Sequence, residues 1–302
     1  MSLFALAFAP DSARAADAEV VTLDPSSQWQ LDMGDHKCRI ARLFGPEGAP
    51  AVFYLEQWDP SDRAAWVVAG KAVEHLRTGR TTSFVFGPSG DHGEFKPRDI
   101  TLGNFGRSFE GETTVSRREG GDDDRGEKYG PGRQRDWALD PRGLEALDAA
   151  GAKDLDLLTL DQGARARITL RLGNLAAPIA AMNACMEDLV KYWGFDPDEQ
   201  RRVASPPQIL NFPSVVRGIQ EEYPAAALSG GLQADFHLRL TVGADGSVEN
   251  CALINQTIAK GFDTNKDPCS IFVRRAKIEP AHDISGNAVR TFYTTRIHYV
   301  IN

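Results

Sequence analysis

The sequence predicts an α+β protein: a β-rich amino-terminal domain followed by a smaller domain with a three-stranded antiparallel sheet and two short helices. Three observations predict it. Apolar residues recur mostly with period two, Gly-, Pro- and Asp-rich turns separate these runs, and only a few short stretches carry helical spacing. A chain of 302 residues with 42% apolar and 25% charged side chains has enough material for two cores. Its 34 basic and 42 acidic side chains leave a formal charge of -8, which argues against a broad nucleic-acid-binding surface.

The first 18 residues read as a leader remnant. Leu3 to Ala9 is apolar, Ala13-Arg14-Ala15 has the small-x-small form of a signal-peptidase site, and nothing basic precedes Leu3. The expectation is the tail of a signal peptide, the alternative a disordered Ala-rich terminus. The stretch is too short to span a bilayer, and no other segment offers a membrane span.

Residues 19–197 form the predicted β-rich domain. Lys37 to Phe44 and Ala51 to Trp58 read as an antiparallel pair around the turn Gly45-Pro46-Glu47-Gly48, and Thr82 to Phe86 as a further strand. Ala64 to Leu76 fits strand and helix periods alike. Residues 117–136 are nearly devoid of apolar side chains and are expected to be a mobile loop. Within it, Asp122-Asp123-Asp124 lacks the oxygen-ligand spacing of a Ca²⁺ loop and reads as a solvated charge run. From Ala164 to Leu172, apolar residues alternate with Arg165, Arg167 and Arg171: a half-buried strand whose basic face is solvated and guards an edge. A helix is predicted over about 178–193, with Met182, Cys185, Met186, Leu189 and Trp193 on one buried stripe.

Residues 198–217 read as a linker stiffened by Ser205-Pro206-Pro207. The second domain, 218–302, opens with a helical turn at Tyr223-Pro224. A strand from Leu232 to Val242 follows, with His237 on its polar side in a solvated or cross-strand role. Gly243-Ala244-Asp245-Gly246 makes a hairpin turn to a strand from Val248 to Ile258. Asp267-Pro268 starts a short helix with Cys269, Phe272, Val273 and Ala276 inward, and a last strand runs from Ala288 to Ile301. Four cysteines permit three complete pairings; the simplest joins Cys38 to Cys185 and Cys251 to Cys269, one bridge in each domain.

Several of these residues form an ordered pattern. Tyr223-Pro224 with Ala227 and Gly230, Val242 to Val248 around Asp245-Gly246, Phe262-Asp263, and Ile278-Glu279-Pro280-Ala281 with Asp283 and Gly286 resemble the carboxy-terminal domain of TonB-type energy transducers. The resemblance implies a non-enzymatic periplasmic domain that meets outer-membrane receptors, a receptor segment adding as a strand to its sheet. The candidate partner-binding edge is then Thr291, Phe292, Tyr293, Thr294, Thr295, Arg296, Ile297, His298, Tyr299 and Val300. Tyr223, Pro224, Asp245, Gly246, Pro280 and Ala281 are the family-motif residues. The chain departs from the pattern at Asn255-Gln256-Thr257, and it shows neither a membrane anchor nor a Pro-rich spacer. The segments around Trp29, Cys38 to Phe44, and Asn183 to Gly194 resemble an amino-terminal region found beside TonB-like domains in uncharacterised proteobacterial proteins.

No catalytic, cofactor or metal residues are expected. The six histidines are scattered, and neither G-x-S-x-G nor H-E-x-x-H occurs. The expected function is a periplasmic protein-binding module. The alternatives are a complete energy transducer with an unseen amino-terminal anchor and an exported enzyme with an unrecognised site.

Overall fold

The computed structural model describes residues 19–97, 100–113, 115, 144–232, 234–254, 262 and 268–299. The leader at 1–18, the loop at 117–136, Asn255-Gln256-Thr257, Asp263, Val300 and Ile301 lie outside the described residues.

Among the described residues, eleven strands build the amino-terminal region: β1 (Glu19–Leu23), β2 (Gln30–Met33), β3 (Cys38–Phe44), β4 (Ala51–Gln57), β5 (Ala64–Ala69), β6 (Thr82–Phe86), β7 (His92–Phe95), β8 (Ile100–Thr101), β9 (Arg107–Thr113), β10 (Leu157–Asp161) and β11 (Ala166–Arg171). They form a five-stranded sheet in the order β1-β11-β10-β6-β7 and a six-stranded sheet in the order β2-β3-β4-β5-β9-β8. The expected β3–β4 pair is present, in antiparallel register from Cys38–Gln57 to Phe44–Ala51. The ambiguous stretch resolves as both forms: β5, then a 3₁₀ turn over Lys71–His75. Gly70 joins them at φ 136°, where an added Cβ would lie 2.7 Å from the Ala51 Cα, so no larger residue fits the crossing.

Inward side chains of the two sheets share one core that includes Phe53, Leu55, Trp66, Phe84, Phe86, Leu160 and Ile168. Phe53 meets Phe86 at 6.2 Å and Trp66 meets Phe84 at 5.5 Å, ring contacts that join the sheets face to face. Helix α1 (Ala176–Tyr192) adds Ile179, Met182, Cys185, Met186 and Leu189 to that core. A disulfide between Cys38 and Cys185 bolts α1 to β3.

One expectation fails for a topological reason. β11 does not lie at an edge: β1 pairs with it in parallel on one side and β10 antiparallel on the other. Its arginines are absorbed locally instead, Arg167 by Asp161 at 2.6 Å and Arg171 by Asp24 at 2.9 Å.

The segment read as a linker is folded. It holds helix α2 (Pro197–Arg201), strands β12 (Val203–Ser205) and β13 (Gln208–Ile209), and helix α3 (Phe212–Glu221). Proline removes amide donors at 206 and 207, but the residues on either side pair with strands much further along the chain.

Beyond α3 come α4 (Ala225–Ser229), β14 (Ala234–Val242), β15 (Val248–Leu253), α5 (Pro268–Arg275), β16 (Ile278–Glu279), β17 (Ala281–Asp283), β18 (Ala288–Val289) and β19 (Thr291–Tyr299). β14 is the centre of a three-stranded antiparallel sheet in the order β15-β14-β19. Its inward residues Phe236, Leu238, Leu240 and Val242 pack with Val215, Ile219, Phe262, Ile271 and Phe272 into a second core. α3 therefore joins the two expected short helices. The helix stripe on α5 is also rotated from expectation: Ile271 and Phe272 are buried, while Val273 is 53% exposed. A second disulfide, Cys251–Cys269, ties α5 to β15. The last strand breaks at Arg290, because β18 pairs with β17 in a separate small sheet while β19 pairs with β14 over nine residues.

Candidate functional site

The family-motif residues gather at places where the fold has little freedom. Gly246 has φ 79°, and an added Cβ would strike the Ile278 carbonyl oxygen. The Asp-Gly hairpin thus abuts the Ile278-Glu279-Pro280-Ala281 segment, which explains why the two motifs occur together. The Asp245 carboxylate accepts from the Ser247 backbone amide at 2.9 Å, and these bonds to Ser247 hold its carboxyl below the usual range. Ala281 is fully buried. Tyr223 donates its hydroxyl to the Leu232 carbonyl at 2.5 Å and sets its ring 4.8 Å from that of Tyr299. Pro224 caps α4 with φ -60°. The placement of all six residues makes them builders of the domain.

β19 is the outermost strand of its sheet. It pairs with β14 from Thr291–Val242 to Tyr299–Ala234, and among the described residues no strand pairs along its other side. Strand alternation sends Thr291, Tyr293, Thr295, Ile297 and Tyr299 towards the helices. Phe292, Thr294 and Arg296 point the opposite way, level with Thr241, Arg239 and His237 on β14.

That outer face packs on the amino-terminal region. Phe292 lies between Trp193 at 5.6 Å and Phe195 at 5.4 Å, both edge-on. Thr294 donates its hydroxyl to Asp59 at 2.6 Å. Arg239 places its guanidinium 3.8 Å from the Trp193 ring centroid and is 8% exposed. Arg296 donates to His237, whose ring packs 5.3 Å from that of Trp58. His237 thus has the cross-strand role, under an aromatic lid the sequence did not suggest. Gln200 on α2 fastens the start of the strand, donating to the Arg290 carbonyl at 3.0 Å and accepting from Thr291 at 2.6 Å.

Asp59 retains part of its surface, but protein crowds its carboxyl. The resulting desolvation pushes it above the ordinary carboxylate range, against the hydrogen bond from Thr294 and the charge of Arg296. Beside it, a groove of about 400 Å³ runs between the two regions, with Tyr54, Glu56, Trp58 and Glu112 on one wall and His237 and Arg296 on the other. Burial pushes the Tyr54 phenol up to about 12, and Arg39 lies over its ring at 4.4 Å.

Sequence reasoning missed Trp58, Asp59, Trp193, Phe195 and Arg239. Trp193, on the predicted α1 stripe, packs against the core and also caps the helix, donating from its indole to the Asp35 carbonyl at 3.1 Å. The available signal was compositional: large aromatics in otherwise polar, turn-rich segments.

The described residues contain no cluster of three or more His, Cys, Asp or Glu side chains arranged to hold a metal ion. None of their helices is long and apolar enough to cross a membrane.

A three-stranded sheet with helices on one face and β19 at its edge defines a small α+β module. Residues 219–301 match the family model of the Gram-negative bacterial TonB protein C-terminal domain, which supports a TonB-type domain in this part of the chain. The amino-terminal region has no family match. No curated protein and no solved structure matches the chain. The matched family is a transport-associated, non-enzymatic domain of the Gram-negative envelope.

Proposed function

We propose that the protein is a periplasmic binding module that captures an extended segment of an envelope partner, such as an outer-membrane transport receptor, along the open side of β19. The observation that carries this reading is the terminal position of β19. Its nine residues are held in strand geometry by β14, and the second side carries no strand among the described residues. An added strand gains affinity from main-chain hydrogen bonds, which need no particular side chains. Packing against Trp193, Phe195 and Asp59 braces the strand before any partner arrives, which lowers the ordering cost of binding. Two disulfides and no free cysteine fit an oxidising compartment.

Amide hydrogen exchange on the full chain tests the proposal, using synthetic peptides that copy extended periplasmic segments of outer-membrane receptors. Binding should slow exchange at alternate amides of β19, those facing away from β14, and leave β15 unchanged. Protection confined to another surface would refute the assignment of the site.

A further inference from the structure

The junction between the two regions contains a buried cation with no ion-pair partner among the described residues. Arg239 lies on the outer face of β14 and is 8% exposed. Its guanidinium stacks on the Trp193 indole, and its Nη1 has no hydrogen-bond partner among the described residues. Across the junction, the turn between β2 and β3 brings in His36, whose Nδ1 is likewise buried and unpartnered. Trp193 connects the two elements, stacked on by Arg239 and bonded through Nε1 to the carbonyl of Asp35, next to His36.

The electrostatics agree with this geometry. Burial pulls Arg239 down to about 10, with no carboxylate among the described residues offsetting it. His36 is lowered by burial and then by the positive charge of Arg239, against an opposing contribution from Asp35. Asp59, reached through Thr294 in the next strand, has Arg296 rather than Arg239 as its cationic neighbour. A buried guanidinium is costly unless an anion and hydrogen-bond acceptors accompany it.

We propose that this junction is a binding site for a small carboxylate anion, held by Arg239 and His36 with Trp193 as its wall. A guanidinium placed over an indole still directs its N–H groups outward in its own plane. A carboxylate is planar and takes two such donors side by side, one oxygen facing Arg239 and the other an imidazole N–H. The bound anion would also cement the regions, since it contacts β14 from one and the β2–β3 turn from the other. The site is separate from the open side of β19 and stands whether or not that strand captures a partner.

Sodium acetate is the probe, titrated into isotope-labelled full-length protein at constant ionic strength with sodium fluoride as the balancing salt. The His36 ring and Trp193 Nε1 resonances should shift saturably, and the His36 titration should move to higher pH as the anion offsets the charge of Arg239. Arg239→Gln should weaken acetate saturation at least tenfold and raise the His36 titration even without acetate. If that variant does not fold, His36→Gln in the β2–β3 turn serves, with saturation read at Trp193 and expected to weaken about tenfold. Absent or non-saturating shifts in the wild type would overturn the proposal, as would saturation unchanged by the substitution. An equal response to chloride would overturn the carboxylate assignment.

Discussion

The two sheet systems bury themselves in different ways. In the amino-terminal region two sheets face each other and α1 closes one side, so most of the large apolar surface is covered within the region itself. The carboxy-terminal sheet covers its inner face with helices and lays a polar-looking outer face on its neighbour. Arg239 and Thr241 are each only 8% exposed there, although alternation alone would assign them to solvent. The difference teaches that a polar face is an interface when aromatic residues from elsewhere in the chain supply the apolar surface. Phe292, Trp193 and Phe195 do so here.

The largest expected effect separates the two disulfides. Cys38–Cys185 closes 147 residues and Cys251–Cys269 closes 18. Chain-entropy scaling assigns about 5 kcal/mol to the first and about 3 kcal/mol to the second. Urea denaturation of Cys38→Ala/Cys185→Ala and Cys251→Ala/Cys269→Ala double variants should preserve that order. The reverse order would show that native-state or denatured-state effects outweigh loop closure.

A smaller loss, about 2 kcal/mol, is expected for Phe292→Ala, which removes a partly buried aromatic from between Trp193 and Phe195. Calorimetry should then resolve separate unfolding of the two regions where the wild type unfolds more cooperatively. A single transition that merely moved down in temperature would mean that the regions are coupled elsewhere.

The smallest effect sharpens the comparison through pH. The Asp59 carboxyl is raised in the folded protein, chiefly by burial, so the native state holds its proton to higher pH than the unfolded chain. Stability from this group is fully present below the unfolded carboxylate range and is lost as pH rises through the folded value. Asp59→Asn should flatten that portion of the pH–stability curve and retain a polar partner for Thr294. An unchanged slope would show that another group carries it.

Much of the fold was legible in particular residues. The unbroken alternation through Phe236, Leu238, Leu240 and Val242 located β14, and Asp245-Gly246 located the turn after it. The apolar stripe of Met182, Cys185, Met186 and Leu189 located α1. The simplest cysteine pairing, one bridge within each predicted domain, is the pairing in the structure. Of the candidate site, the strand itself was legible, from its period and its place in the family pattern, but its surroundings were not. The linker reading failed because β12 and β13 are too short to announce themselves and pair with strands beyond residue 277.

By itself the sequence determined several of the longer strands and helix α1, the turn at Asp245-Gly246 and which family the last third resembles. These are local properties, set by side-chain period, by glycine at positive φ and by proline. Only the tertiary structure decided that β11 is an interior strand, that Trp193 faces β14, and that Asp59 meets Thr294. Alternation tells which residues share a face of a strand and carries no information about what lies against that face. Asp59 and Thr294 are 235 positions apart, and only the folding of everything between them brings the carboxyl and the hydroxyl together.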